Sequence, residues 1–130
     1  MKILQPKGWP RPKGFSYGVV ATGRSVFVSG MIGADASGKI VSRDFAMQVR
    51  QALSNVVAVL REAGARPEHI VRMTWYVLEK KEYIGAYKEI GVIYRELIGR
   101  HFPAMTAVQV AALVDDAAKV EIEVTAVVPE

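Results

Sequence analysis

The chain has 130 residues, of which 51% are hydrophobic and 23% charged, and it contains no cysteine. This composition predicts one globular domain over residues 1–130, and it excludes disulfides, cysteine nucleophiles and cysteine-bound zinc. The net charge of +4 is modest, and beyond the first 13 residues the basic side chains are scattered, which argues against nucleic-acid binding. No apolar stretch reaches the roughly 18 to 20 residues that span a bilayer, and no signal-peptide core is present, so we expect a cytoplasmic protein away from membranes.

The first third of the chain predicts an arm followed by a β-hairpin. Residues 1–13 are rich in proline and glycine and predict an irregular arm. Two β-rich runs, 15–21 and 25–29, flank a turn at residues 22–24 and predict a hairpin. Gly30, just after it, allows either a plain bulge or a close approach of a ligand to the main chain.

Two amphipathic helices are predicted. Apolar residues recur at three- and four-residue steps over 44–63, with an aspartate as N-cap and Gly64 just past the end. The opposite face of this helix, which includes Gln48 and Asn55, is predicted to be solvated. One apolar stripe with three tyrosines predicts a second helix over 81–100.

The remaining strands define the fold class. The run 69–78 is apolar on both faces and predicts a central strand, and the stretch 102–128 predicts two strands joined by a short acidic turn. Two helices on one face of a mixed β-sheet make a two-layer α+β sandwich. The other face would be a large apolar patch, so we expect a homo-oligomer.

Motif chemistry alone names no reaction. The two histidines lack metal-ligand spacing and no phosphate-binding glycine loop is present, so neither a metal nor another cofactor is predicted. In the last strand Glu121 and Glu123 alternate with apolar residues. Glu121 is the best candidate for proton chemistry through a water, although the alternation favours a solvated or cross-strand-paired glutamate.

Five segments together resemble the Rid (YjgF-like, reactive intermediate deaminase) family. They are VFVSGMIG at 26–33, the helical segment 44–65, HIVRMTWYV at 69–77, HFPAMTAVQVAAL at 101–113 and KVEIEVTAVV at 119–128. The resemblance implies a chorismate-mutase-like fold, a homotrimer and a ligand cleft at each subunit interface. It also implies hydrolysis of an enamine or imine to a carbonyl compound and ammonia, without a cofactor.

Only some of the family's functional residues have a counterpart in this sequence. Glu121 matches the family glutamate that holds the attacking water, and Gly30 matches the glycine that orients the substrate. Met31 replaces the glutamine that follows that glycine. The family tyrosine near the N-terminus falls on Ser16, with Tyr17 next to it.

The largest departure from the family pattern is at Met105. Family members have an arginine there, before the position of Thr106, and it pairs with the substrate carboxylate. A thioether cannot form that bidentate pair, so another cation such as Arg24 or Arg72 must enter the cleft, or the substrate is not a small 2-imino acid. Two methionines at polar family positions predict a more apolar pocket.

Three functions follow from the resemblance. The first is a trimer that binds a small imine, enamine or keto-acid-like ligand and hydrolyses it with Glu121. The second is a non-catalytic ligand-binding or protein-interaction trimer, which the missing arginine favours. The third, ribonuclease or translation inhibitor, ranks last because the basic residues are dispersed.

Overall fold

A computed structural model describes residues 1–130 and contains six β-strands, three α-helices and one short 3-10 helix. The strands are β1 (Lys2–Leu4), β2 (Gly18–Val20), β3 (Arg24–Ile32), β4 (Ile70–Val77), β5 (Ala104–Gln109) and β6 (Val120–Val128). The α-helices are α1 (Phe45–Glu62), α2 (Lys80–Gly85) and α3 (Tyr87–Leu97), and the 3-10 helix is Pro67–His69. None of the helices is both long and apolar enough to cross a membrane.

The main sheet has four strands in the order β3-β6-β4-β5, with the helices on one face. Only β4 and β5 pair in parallel, while β6 runs antiparallel to both β3 and β4. The mixed sheet with its helical layer confirms the predicted α+β sandwich. The two C-terminal strands do not pair with each other, because the central strand β4 lies between them.

The predicted N-terminal hairpin is wrong. β2 pairs with β1 in a separate two-stranded sheet, so the arm is irregular only after Leu4, and β3 pairs with β6 instead. The glycine-containing turn at residues 22–24 bends the chain, but it does not determine which strand pairs with β3. The nine-residue β6 alternates in step with β3 and buries the same face, which makes it the better partner.

The helical layer follows the predicted periodicity, with one break. The side chain of Asp44 accepts a hydrogen bond from the Met47 amide at 3.0 Å, and Gly64 has a φ of 68°, so both predicted ends of α1 are confirmed. The predicted second helix is divided at Ala86, where ψ is 9°. α2 and α3 on either side of this break still present one aromatic stripe to the sheet.

Two polar residues of α1 bond to the rest of the chain rather than facing solvent, contrary to prediction: Gln48 is buried and Asn55 is half-buried. Gln48 is 1% exposed, accepts a hydrogen bond from the Lys119 amide at 2.8 Å and donates to the carbonyls of Ser42 and Ala117. Asn55 donates to two carbonyls at the end of β3 and just beyond it. These side chains pin α1 to β3 and to the start of β6.

The face of the sheet away from the helices is open, and it differs from the predicted apolar patch. It carries Ser25, Phe27, Ser29, Ile32, Arg72, Thr74, Tyr76, Ala104, Thr106, Val108, Glu121, Glu123, Thr125 and Val127. Most of these side chains are polar, and the exception that stands out is Phe27, which is 78% exposed. We call this surface the open face.

Candidate functional site

The open face brings Glu121 against Gly30. Alternation along β6 buries Val120 and Ile122 in the core and turns Glu121 outward. A register shift in β3 between Val28 and Met31 places Gly30 beside this glutamate. A side chain on Gly30 would overlap the Glu121 carboxylate, so only glycine leaves room for the acid in this position.

Glu121 and Glu123 differ in their partners. The hydroxyl of Tyr76, on the neighbouring strand β4, donates to Oε1 of Glu123 at 2.6 Å, and this hydrogen bond raises the pKa of Tyr76. Glu123 is therefore the cross-strand-paired glutamate. No group of the chain donates a hydrogen bond to the carboxylate of Glu121, and this carboxylate makes no ion pair. Its half-buried carboxylate is available to a water or a ligand.

Met105 lies on the other side of the sheet from Glu121. It pairs with Met73, which is fully buried under the helices, and its own side chain packs against that core. Thr106, one residue later, is on the open face beside Thr74. A single chain therefore does not bring the methionine at the family's arginine position together with the glutamate.

Met31 also faces the helical side of the sheet. It pairs with Ile122, which is fully buried, and its side chain packs partly buried against the core. Of the predicted substrate-binding residues, Gly30 and Thr106 thus share the open face with Glu121, whereas Met31 and Met105 do not.

Ser16 is tied to the start of β5. Its hydroxyl donates to the carbonyl of Phe102 at 2.5 Å, and its amide donates to the carbonyl of Pro103 at 3.0 Å. The hydroxyl of Tyr17 donates to the Pro10 carbonyl at 2.9 Å, and its ring is partly exposed. Ser16 therefore positions the strand that carries Met105, while Tyr17 holds the N-terminal arm.

A cleft of about 770 Å³ opens beside Met105, between helices α2 and α3 and strand β5. Its 19 lining residues include six aromatic ones: Phe15, Trp75, Tyr83, Tyr87, Tyr94 and Phe102. We call this the aromatic cleft. Burial raises the pKa of two of these tyrosines, Tyr83 and Tyr94, so both rings stay neutral and bring no charge to it.

The cations of the aromatic cleft differ from the two proposed on the sequence. Lys13, Lys80 and Arg95 line it, whereas Arg24 donates to the carbonyl of Ala63 and Arg72 lies on the open face. Sequence reasoning used the tyrosine stripe only to predict a helix and missed these cations. The available signal was Lys80, one residue before the predicted helix 81–100, and Arg95, directly after the last tyrosine of its stripe.

The histidines and acids do not form a metal centre. No three His, Asp or Glu side chains lie close enough together to hold an ion. Of the two histidines, His101 is bound to the carbonyl of Ile70 at 2.6 Å, and His69 accepts from the amide of Arg66 at 3.0 Å. Both rings therefore have structural partners.

The sequence of this chain is similar to those of known proteins. A family model described as Endoribonuclease L-PSP matches residues 10–128. A human protein named 2-iminobutanoate/2-iminopropanoate deaminase is 34% identical over 109 residues, which cover 83% of this chain and 76% of the relative. A protein of the same name from Salmonella typhimurium is 34% identical over 111 residues, 83% of either chain.

Solved structures agree with the fold. A Rid family protein of unknown function from Yersinia pestis, YyfB, superposes with a TM-score of 0.86 at 30% identity, covering 98% of both chains. TdcF from E. coli, solved with bound serine, superposes with a TM-score of 0.68 at 32% identity, again over 98% of both chains.

Proposed function

Since this chain belongs to the Rid (YjgF-like) family, we propose that it hydrolyses an enamine or imine to a carbonyl compound and ammonia. The observation that carries the proposal is the unpaired carboxylate of Glu121, held against the backbone of Gly30 on the open face. A carboxylate with no internal donor can hold a water and take a proton from it. The backbone at Gly30 lies close enough to orient a substrate next to that water.

The proposed reaction needs only water as co-reactant. An enamine first takes up a proton at carbon and becomes the iminium. Water held by Glu121 adds to the iminium carbon, and the carboxylate accepts one of its protons to leave a carbinolamine. Glu121 then returns the proton to the amino group, and the carbon–nitrogen bond breaks as the hydroxyl gives its proton back to the carboxylate. The carbonyl compound and ammonia leave, and the proton passes from Glu121 to ammonia, which becomes ammonium. No redox step or cofactor enters this sequence.

The proposed site is completed by a second copy of the chain. Met105 and the aromatic cleft lie on the helical side of the sheet, whereas Glu121 lies on the open face. A ligand that contacts both must bridge two chains. A homotrimer, which the family resemblance implies, would bury the open face and its exposed Phe27.

The catalytic proposal is tested with imines generated in the cuvette by an amino-acid oxidase. Ammonia release is measured with wild type, with Glu121→Gln and without protein, while a semicarbazide trap competes for the imine. We expect wild type to accelerate release and Glu121→Gln to fall to the uncatalysed rate. Glu123→Gln is the matched control, because this carboxylate is already bound by Tyr76. Equal rates for wild type and Glu121→Gln would remove the glutamate from the mechanism.

The assembly is tested by light scattering. Wild type should have three times the mass of one 14.3 kDa chain. Phe27→Asp should dissociate it, because a buried unpaired carboxylate is costly. Val114→Asp serves as control, since this valine is fully exposed on a loop. A monomeric wild type would contradict the proposed bridging site.

A second candidate, non-catalytic ligand binding, is favoured by Met105. A methionine cannot fix a carboxylate as the family's arginine does. This candidate predicts no acceleration of ammonia release by wild type and no gain in stability from 2-oxo acids. The two measurements together separate it from the deaminase proposal.

A further inference from the structure

The aromatic cleft is built for a larger ligand than a small aliphatic imino acid. Trp75 and Tyr83 pack with ring centroids 5.9 Å apart, and Tyr83 meets Tyr87 edge-on at 5.1 Å. Tyr94 and Phe102 stack at 5.8 Å. Aromatic walls of this kind favour a flat apolar group, because rings gain from stacked and edge-on contacts as well as from burial. The volume of about 770 Å³ is within the range of sites for whole small molecules.

The charges around the cleft select an anion. Lys13, Lys80 and Arg95 line it, and no aspartate or glutamate does. None of the three takes part in an ion pair, whereas the chain's three ion pairs all lie elsewhere. A partly apolar cleft whose charged residues are all positive concentrates anions. The positive anchor that Met105 lacks is therefore present on other elements of the same cleft.

The aromatic cleft also contains a hydrogen-bond donor without a partner. Trp75 is fully buried and lines the cleft, and its indole Nε1 is the one buried side-chain polar atom of the chain without a hydrogen-bond partner. Buried N–H groups are nearly always paired, so an unpaired one points to an acceptor that the chain itself does not supply. A carbonyl or carboxylate oxygen of a ligand would be such an acceptor once the side chains that cover the indole shift to admit it.

We infer that the aromatic cleft binds a 2-oxo or 2-imino acid with an aromatic side chain. The ring lies between the aromatic walls, one of the two helical cations, Lys80 or Arg95, holds the carboxylate, and the indole of Trp75 donates to a ligand oxygen. That the ligand's imino form is the substrate rests on the proposed deamination. The binding itself does not, because a stable 2-oxo acid has the same carboxylate and side chain.

The inference is tested with three probes and two readouts. Phenylpyruvate has both the ring and the carboxylate, pyruvate lacks the ring, and benzylacetone lacks the carboxylate. Calorimetry gives the affinities, and heteronuclear NMR follows the two indole N–H resonances. Those belong to Trp9 and Trp75, and Trp9→Phe assigns them.

We expect phenylpyruvate to bind at least about tenfold more tightly than either of the other probes, since burial of the ring and pairing of the carboxylate both contribute. It should also shift the Trp75 resonance and leave that of Trp9 unchanged. The double variant Lys80→Gln, Arg95→Gln should weaken phenylpyruvate by about tenfold or more. Lys88→Gln, an exposed lysine of α3 outside the lining, is the matched control.

Each outcome decides one of the two proposals. Equal affinity for pyruvate, an unmoved Trp75 resonance or an unchanged double variant would overturn the aromatic-acid inference even if imines are hydrolysed. Tight, cation-dependent phenylpyruvate binding without acceleration of ammonia release would support the inference and overturn the deaminase proposal.

Discussion

The buried glutamine of α1 should control the stability of the whole sheet. Gln48 makes three hydrogen bonds at 2.8 to 3.1 Å, two to carbonyls and one from the Lys119 amide, next to the residue where β6 begins. Gln48→Met keeps the volume but removes all three bonds, and its three backbone partners, at the half-buried Ser42 and Lys119 and the exposed Ala117, lose this buried partner. Each bond contributes about 1 kcal/mol net, so we expect a loss of about 3 kcal/mol.

That loss is a large share of the about 5 to 15 kcal/mol that stabilises a typical domain. It corresponds to a fall in Tm of about 10 °C for a chain of this size. Urea and thermal unfolding at one fixed protein concentration give both quantities. Gln51→Met is the matched control, because this residue lies on the same helix, is only half-buried and bonds just one side chain, that of Asn55. A Gln48→Met variant as stable as the control would refute the reasoning.

Three further predictions concern the site and its surroundings. Gly30→Ala should displace the Glu121 carboxylate and abolish imine hydrolysis at a stability cost under about 1 kcal/mol, since the overlapping atoms belong to a flexible side chain. Full activity in this variant would contradict the proposed pairing. Met105→Arg should tighten pyruvate binding about ten- to a hundredfold in calorimetry, because it adds a charge-assisted contact, and an unchanged affinity would refute this. Tyr94→Phe loses the bond to the His101 carbonyl and should destabilise by about 1 kcal/mol at pH 7. Because burial raises the pKa of Tyr94, the stability it contributes is present below about pH 10 and lost above it. The gap in urea stability between wild type and this variant should therefore narrow at pH 11, and a constant gap would count against the assignment.

Local patterns predicted the helices well because their signals lie within one helix. The periodicity of α1, its cap at Asp44 and the left-handed Gly64 all involve neighbours in sequence. Strand pairing does not follow from such local signals, because β3 pairs with β6, about a hundred residues away, and not with the adjacent β2. Two of the three partners of Gln48, Ala117 and Lys119, are likewise distant, and no residue pattern within α1 distinguishes a buried polar side chain from a solvated one.

The candidate site likewise has one part that the sequence predicted and another that it could not. The outward direction of Glu121 follows from simple alternation, and the sequence predicted it. Its contact with Gly30 depends on a bulge in another strand, which a glycine suggests without specifying. The cations of the aromatic cleft come from the arm, from α2 and from α3. Because three separate segments supply these cations, the proposed replacement for the missing arginine could be found only from the structure.

The position of the sheet between Met105 and Glu121 allows a decisive test of how the site is assembled. In one chain the aromatic cleft and the glutamate are on opposite sides, so the proposed site pairs the cleft of one copy with the glutamate of the next. With the aromatic imine well below saturation, Glu121→Gln chains alone should be inactive and Lys80→Gln, Arg95→Gln chains alone at least about tenfold slower than wild type. When equal amounts are unfolded together and refolded as mixed assemblies, about a quarter of the sites should combine an intact cleft with an intact Glu121. Recovery of about a quarter of wild-type ammonia release is expected, while refolding each variant separately and then mixing provides the control. No recovery in the co-refolded sample would mean that both halves of the site must come from one chain, which the sheet in this fold does not permit, and the bridging mechanism would have to be abandoned.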